Sequence, residues 1–95
     1  MQMGTLSGGI WLWAAAYTEE FAKSLCRLDM PTKRIVGKRI RKVLENPQRG
    51  KPILGEPDTF AERFGHYRMI YRIKPGRQVI FVRVGKRDAV YRSYD

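Results

Sequence analysis

The hydrophobic pattern of this chain changes its period once, near residue 58, and that change limits the fold more than any other feature. Before it, apolar residues recur every three or four positions in two stripes, over residues 21–28 and 35–44. After it, segments of strand length follow at 59–64, 66–74 and 78–84. Helical spacing followed by strand-like segments predicts an α+β fold, in which the helices cover one face of a single sheet.

The first half is predicted to contain one strand and two helices. Ile10–Tyr17 is rich in strand-forming residues and is too short for a core helix. Thr18 is the predicted N-cap of the first helix, because two glutamates follow it where the helix dipole favours acids. Pro31 separates this helix from the second, which ends before Pro47. Two helices joined this tightly are expected to form an αα-hairpin.

Glycine and proline divide the second half into a loop and three strands. Residues 48–58 are predicted to be a loop in which Ile53-Leu54 anchors to the core. Gly65 marks a bend between the first two strands, and Pro75-Gly76 suits a turn with glycine at positive φ. The last strand is apolar on both faces and should be central. The expected order is β-α-α-β-β-β, with antiparallel strands in one sheet and helices on one face.

The length of 95 residues suits one small domain. Residues 1–9 are expected to be a flexible lead-in, and residues 10–95 a single domain. The apolar run at 10–17 is too short to span a bilayer, and no Lys or Arg precedes it as in a signal peptide. The expectation is therefore a cytoplasmic protein with no membrane partner.

The formal net charge of +10 points to an anionic partner, which could be nucleic acid, a membrane or an acidic protein. Cys26 and His66 are the only residues of their types, which argues against an internal disulfide and against a zinc or multi-histidine metal site. The sequence also has no obvious carboxylate pair and no glycine-rich phosphate loop. It therefore indicates neither a metal nor a cofactor.

The basic residues form two clusters along the chain. Residues 33–42 hold six basic side chains and no acidic one, which is either a solvated helix face or a ridge that contacts phosphates. Residues 63–92 hold nine, seven of them arginine, against Asp88 alone. Because the arginine fork fits phosphate, the second cluster favours an RNA or DNA surface. Tyr67 and Tyr71 lie among these arginines. Two interpretations are open for them: their rings stack on nucleic-acid bases, or they are buried in the protein core.

Three stretches of the sequence together resemble the RelE/ParE toxin superfamily. Its RelE branch has an R-x-G-x-Y-R strand pair followed by V-G-[KH]-R and a tyrosine, and the β-α-α-β-β-β order also fits. The matching stretches here are Gly50-Lys51-Pro52-Ile53-Leu54-Gly55, Arg63-Phe64-Gly65-His66-Tyr67-Arg68-Met69-Ile70-Tyr71, and Val84-Gly85-Lys86-Arg87 with Val90-Tyr91.

This resemblance implies a type II toxin–antitoxin toxin, an endoribonuclease that inhibits translation by cutting mRNA in the ribosomal A site. The family's catalytic residues match Arg63, Arg68, Arg87 and Tyr91. The implied partners are the ribosome with its mRNA and an acidic, RelB-like antitoxin in a hetero-oligomer. The family often has a basic residue two positions before Arg63, where this chain has Ala61. The loss of that charge would weaken activity.

Cleavage by the RNA's own 2′-hydroxyl needs a base, cations at the phosphorane and an acid, and it uses no metal. Arginine stays protonated, so the three arginines can only stabilise charge. One candidate base is Tyr91, since cations favour tyrosinate. The other is His66, because histidine is the residue type whose ordinary pKa lies nearest neutrality, and it stands where the family more often has Asp, Asn or Gly. Lys86 is a candidate acid or clamp. The candidate contacts to RNA or the ribosome are Lys33, Arg34, Lys38, Arg41, Lys42, Lys51, Arg72 and Arg83.

Two other functions remain open at this point. A ParE-like toxin would bind a protein target such as DNA gyrase and would cut nothing. A basic module whose toxin activity has decayed is the third reading, with Ala61 as its main sign. Arg87 and Tyr91 favour the nuclease.

Overall fold

The fold is a pair of helices packed on a five-stranded sheet, which confirms the predicted α+β class. The computed structural model describes residues 6–7 and 10–86. In chain order the elements are β1 (Leu6–Ser7), β2 (Ile10–Trp11), β3 (Ala14–Tyr17), α1 (Glu19–Cys26), α2 (Met30–Glu45), a 3₁₀ turn (Pro47–Arg49), β4 (Lys51–Pro52), β5 (Thr59–Phe64), β6 (Tyr67–Lys74) and β7 (Gln78–Lys86).

The first helix begins at Thr18, the cap that the sequence predicts, and the second begins after Asp29, which the sequence analysis did not name as a cap. The Thr18 hydroxyl accepts a hydrogen bond from the backbone N–H of Phe21 at 3.0 Å and donates one to the carbonyl of Val82 at 2.8 Å. The start of α1 is thereby tied to β7. Asp29 caps α2 by accepting from the backbone N–H of Thr32 at 3.0 Å. Neither of these helices is long and apolar enough to cross a membrane.

The five strands run in the order β3-β7-β6-β5-β4. The strands after the helices, β4 to β7, pair antiparallel with one another, as expected, whereas β3 pairs in parallel with β7. As predicted, β7 lies inside the sheet, between β3 and β6, while β6 is the middle strand.

Alternation along β6 divides its side chains between two unlike faces of the sheet. Met69 and Tyr71 are fully buried in the main core, which the helices cover with Phe21 and Val43 among others. Ile70 points to the opposite side and belongs to a separate small cluster. The face that carries Ile70 is called the open face below, because neither helix packs on it.

The structure corrects two predictions about the core. Ile35, predicted in the apolar stripe of α2, is 45% exposed, while Val36 beside it is buried. The anchor Ile53-Leu54 holds through Ile53 alone. The backbone N–H of Ile53 bonds to the carbonyl of Thr59 at 2.9 Å, and the chain then turns, which leaves Leu54 99% exposed at the tip of the β4–β5 loop.

Element boundaries differ from the predicted ones near two turns. The segment at 10–17 is divided into β2 and β3, and β2 pairs with β1 in a small separate sheet. The strand predicted from residue 66 begins at Tyr67, because Gly65 and His66 form the turn before it. Gly65 has a φ of 58°, a conformation that glycine adopts without strain. The lead-in and the domain limits stay predictions.

Candidate functional site

A basic groove of about 660 Å³ lies between β4 and the β5–β6 hairpin, reaching the open face of the sheet. One acidic residue, Glu62, is among its lining residues, and the Glu62 carboxylate pairs with Nη1 of Arg39 at 3.0 Å. The groove is therefore positive on balance. Its basic lining residues are Arg49, Lys51, Arg63 and Arg68.

Arg63 and Arg68 lie directly opposite each other on β5 and β6. Arg63 is exposed, whereas Arg68 is only 8% exposed. Nη1 of Arg68 donates to the carbonyl of Tyr67 at 2.8 Å and to that of Gly65 at 3.4 Å. The turn at Gly65 thus sets the register that joins the two arginines and also holds one of them in place.

The neighbouring residues on the open face leave room beside this pair. Gly85 of β7 stands opposite Arg68 in the register and brings no side chain. One row further along, Ala61 pairs with Lys51 on one side and with Ile70 on the other. In the register, the open face therefore places exposed Arg63 and buried Arg68 beside a glycine and an alanine, and arginine is a residue suited to binding phosphate.

The edge of the groove is fixed by the buried tyrosine of the motif. The Tyr71 hydroxyl donates to the carbonyl of Pro47 at 2.5 Å, and Gly50 lies against the same hydroxyl. Burial, together with the charge of Glu62, raises the pKa of Tyr71 to about 12. Tyr71 is thus a neutral core residue, and half-buried Tyr67 also packs against the core. Of the two interpretations given above, the structure therefore supports core packing of these tyrosines and not stacking on bases.

α2 packs on the side of the sheet opposite the open face. One of its basic residues, Arg39, nevertheless pairs with the groove-lining Glu62 at 3.0 Å, while Arg41 pairs with Glu45 at 3.8 Å within the helix. The basic cluster at 33–42 thus lies on the helix side of the sheet, and its Arg39 contacts a groove residue. The predicted contact residues on this helix are Lys33, Arg34, Lys38, Arg41 and Lys42.

The other predicted site residues are scattered. Arg72 is exposed and follows Arg68 on the open face, while Arg83 pairs with Glu20 of α1 at 3.2 Å. Lys86, at the end of β7, pairs with Tyr67, which packs against the main core. The register therefore places Lys86 on the helix-covered face of the sheet and not on the open face. His66 is exposed in the turn rather than in the strand of Arg68. Arg87 and Tyr91 lie outside the described residues.

Arg49 is a groove residue that the sequence-based candidates do not include. It stands at the end of the 3₁₀ turn, in a segment that the sequence predicts to be a loop. The useful signal was its position next to the Gly50-Lys51 motif. Across residues 6–7 and 10–86, the structure brings together no group of three His, Cys, Asp or Glu side chains that could hold a metal ion.

Comparison with known proteins gives a family and a set of similar folds. The sequence model for the ParE toxin of type II toxin–antitoxin system, parDE, matches residues 15–91. The RelBE2 toxin–antitoxin complex of Mycobacterium tuberculosis contains a chain that is 29% identical, with a TM-score of 0.73 over 80% of this chain and 92% of that one. No curated protein sequence is significantly similar to this chain.

Two further structures support the same fold. The isolated RelE toxin of Escherichia coli is 25% identical, with a TM-score of 0.69 over 86% of this chain and 94% of its own. The RelB–RelE complex of Methanococcus jannaschii gives 21% identity and a TM-score of 0.69, over 84% of this chain and 99% of that one, which shows the fold alone.

The helix pair on a mixed sheet and the family match define the class of this protein, a toxin of a type II toxin–antitoxin system. Within that class the chain belongs to the ParE toxin family of the RelE/ParE superfamily. The resemblance that its motifs indicate is thereby confirmed.

Proposed function

We propose that this toxin is a ribosome-dependent endoribonuclease that cleaves mRNA in the A site and so stops translation. The observation that supports it best is the pairing of Arg63 with Arg68 across β5 and β6. Like charges directly opposite each other destabilise a sheet. A phosphate bound between the two arginines would remove that repulsion, and an arginine fork suits it.

In the proposed reaction the 2′-oxygen of the RNA attacks the neighbouring phosphorus. The bond from phosphorus to the 5′-oxygen breaks, and a 2′,3′-cyclic phosphate and a free 5′-hydroxyl result. Arg63, Arg68 and Arg87 stabilise the charge of the phosphorane. Tyr91 takes the proton of the 2′-hydroxyl, and Lys86 or His66 gives one to the leaving oxygen.

We further propose that an acidic, RelB-like antitoxin holds this toxin in a cytoplasmic hetero-oligomer. The similar structures from Mycobacterium tuberculosis and Methanococcus jannaschii are toxin–antitoxin complexes. A net charge of +10 favours an acidic partner that folds on binding. A basic co-purifying partner, or one that contacts neither α2 nor the open face, would contradict this.

A second candidate function is supported by the family model itself, which is that of the ParE toxin. A ParE-like toxin would bind a protein such as DNA gyrase and would not cleave RNA. Ala61, where the RelE branch often has a basic residue, also favours this reading.

Two assays on one preparation distinguish the two candidates. The purified toxin is added to a reconstituted translation reaction, and the 5′ ends of the mRNA are mapped. The same preparation is added to a gyrase supercoiling reaction. The nuclease proposal predicts new mRNA ends in the A-site codon only while the mRNA is translated, their absence with Arg63→Ala, and unchanged supercoiling. Inhibited supercoiling with intact mRNA overturns it in favour of the ParE-like function.

A further inference from the structure

We infer that Lys51 supplies the phosphate-contacting cation that this chain lacks at Ala61, an inference that rests on the proposed RNA cleavage. The sequence alone presents Ala61 as a missing charge. The structure shows which residue stands beside it. Lys51 on β4 is the direct cross-strand partner of Ala61 on β5.

The register places Lys51 on the same face as the arginine pair. Directly opposite residues of an antiparallel pair point to one face, with Cβ atoms about 4.5–5.5 Å apart. Ala61 and Arg63 are two residues apart on β5 and so share that face. Lys51 is therefore the diagonal neighbour of Arg63, within about 7–8 Å. A lysine side chain spans this distance, so Lys51, Arg63 and Arg68 can meet at one phosphate.

The burial of Ala61 explains why the cation lies on β4 rather than on β5. Ala61 is only 4% exposed and packs with Ile70 and Ile53. A long charged side chain at this position would have to leave an apolar cluster. The β4 segment that brings Ile53 over Ala61 also brings Lys51 to the groove, two residues earlier in the chain. The segment that buries position 61 thus also supplies the cation, Lys51, that replaces a basic side chain there.

Lys51 is free to act on a ligand. Its side chain is exposed, and no ion pair joins it to an acidic residue in the described part of the chain. Its backbone is nevertheless held in place. Gly50 before it lies against Tyr71, and Ile53 after it bonds to Thr59. An exposed cation on a strand that is held in place is what a phosphate clamp requires.

The experiment measures single-turnover cleavage of ribosome-bound mRNA and, separately, binding to the programmed ribosome. Lys51→Met removes the charge and keeps most of the stem, while Lys51→Arg keeps the charge. Lys74→Met is the matched control. Lys74 lies on β6 an even number of residues from Arg68 and so is on the same face of the sheet, but it does not line the groove. Thermal unfolding of each variant verifies that the fold is intact.

We expect Lys51→Met to slow cleavage about 100-fold, with a smaller loss of binding. Lys51→Arg should stay within about tenfold of the parent, and Lys74→Met should match it. If Lys51→Met and Lys74→Met cleave at equal rates while Arg63→Ala still abolishes cleavage, the role of Lys51 is overturned and the nuclease proposal stands. A parent protein that cuts no mRNA would overturn the nuclease proposal, and the role of Lys51 with it.

Discussion

Arg63 and Arg68 face each other on one strand pair, yet the protein holds them in different ways. Arg63 is exposed and makes no ion pair with a described residue, so its charge serves no structural contact there. Arg68 is buried and donates to the carbonyls of Gly65, in the β5–β6 turn, and of Tyr67, at the start of β6. Arg63 is thus available to a ligand at the expense of some stability. Arg68 is proposed both to bind the ligand and to stabilise the turn.

The two alanine variants should separate activity from stability. Arg63→Ala should reduce cleavage about 100- to 1000-fold. It should raise the unfolding free energy by up to about 0.5 kcal/mol, since it removes a like-charge pair. Arg68→Ala should reduce cleavage equally and lower the unfolding free energy by about 1–3 kcal/mol, because it leaves turn carbonyls without a donor. Urea unfolding followed by tryptophan fluorescence measures both. A marked destabilisation by Arg63→Ala would contradict this.

Two substitutions can assign the base of the proposed reaction. Tyr91→Phe keeps the ring but loses the hydroxyl, so cleavage should fall about 100- to 10,000-fold and one limb of the pH–rate profile should disappear. His66→Ala should leave that limb in place, because His66 lies in the turn and not on the strand of Arg68. An active Tyr91→Phe together with an inactive His66→Ala would move the base to His66.

Tyr71 should make stability depend on alkaline pH. Its pKa is raised to about 12 in the folded protein, against about 10 in an unfolded chain. The folded state therefore keeps the proton longer, so the stabilisation is complete below pH 10 and is lost as the pH rises towards 12. Tyr71→Phe should flatten this decline relative to the parent. It should also cost about 1–3 kcal/mol at neutral pH, because the carbonyl of Pro47 loses its donor. Urea unfolding between pH 8 and 11 tests both effects.

At the scale of elements, the short strand β4 depends on one glycine. A Cβ atom on Gly50 would overlap the Tyr71 hydroxyl and would lie 3.2 Å from the carbonyl oxygen of Ala61. β4 can therefore approach β5 and the 3₁₀ turn this closely only without a side chain at position 50. The placement of Arg49 and Lys51 in the groove follows from that approach.

Two glycine-to-alanine substitutions test this dependence. Gly50→Ala should destabilise the protein by about 1–3 kcal/mol through overpacking, and it should slow cleavage by displacing Lys51. Gly37→Ala is the matched control in α2, where no atom lies within 4 Å of the added Cβ. That change should raise the unfolding free energy by about 0.5–1 kcal/mol, because alanine loses less conformational entropy than glycine when the helix forms. Similar effects of the two substitutions on urea unfolding would show that Gly50 is not a packing constraint.

Local signals account for the elements that the sequence predicts correctly. Thr18 and Asp29 cap their helices through side chains close in sequence, and Gly65 sets its turn through its own φ. Such features are visible without knowledge of the fold. The α+β class follows from periodicity in the same way.

The remaining features depend on contacts that are distant in sequence. The parallel pairing of β3 with β7 joins residues more than 60 positions apart. The exposure of Ile35 and Leu54 depends on where α2 and β4 settle on the sheet. The groove itself requires the register of three strands, so Arg63 and Arg68 could be proposed from a motif, whereas the pairing of Lys51 with Ala61 could not.

At the scale of the whole molecule, positive charge lies on both sides of the sheet. The helix side carries the basic face of α2, and the open side carries the groove. Single-stranded RNA that fills the groove and continues along the open face would meet five cations. Arg49, Lys51, Arg63 and Arg68 line the groove, and Arg72 lies beyond it on the open face.

The salt dependence of RNA binding should report these five contacts. The affinity for a single-stranded oligonucleotide should fall with a log–log slope of about −3.5 against salt concentration. Arg63→Ala should reduce the steepness by about 0.7, while Lys42→Ala on the helix side should leave it unchanged. Filter binding between low and moderate salt measures the slopes. A slope near zero would show that charge does not determine binding.

The parallel pair of β3 and β7 also fixes when a newly made chain can become a toxin. Residues 14–17 are translated early, yet their sheet partner, residues 78–81, emerges last among the strands. Until β7 has left the ribosomal exit tunnel, Val79, Phe81 and Val84 cannot fill the core. Nascent chains arrested before residue 78 should therefore be digested by protease, and chains released after residue 86 should resist it. A protein proposed to halt ribosomes would thus acquire its fold only once a ribosome has finished making its sheet.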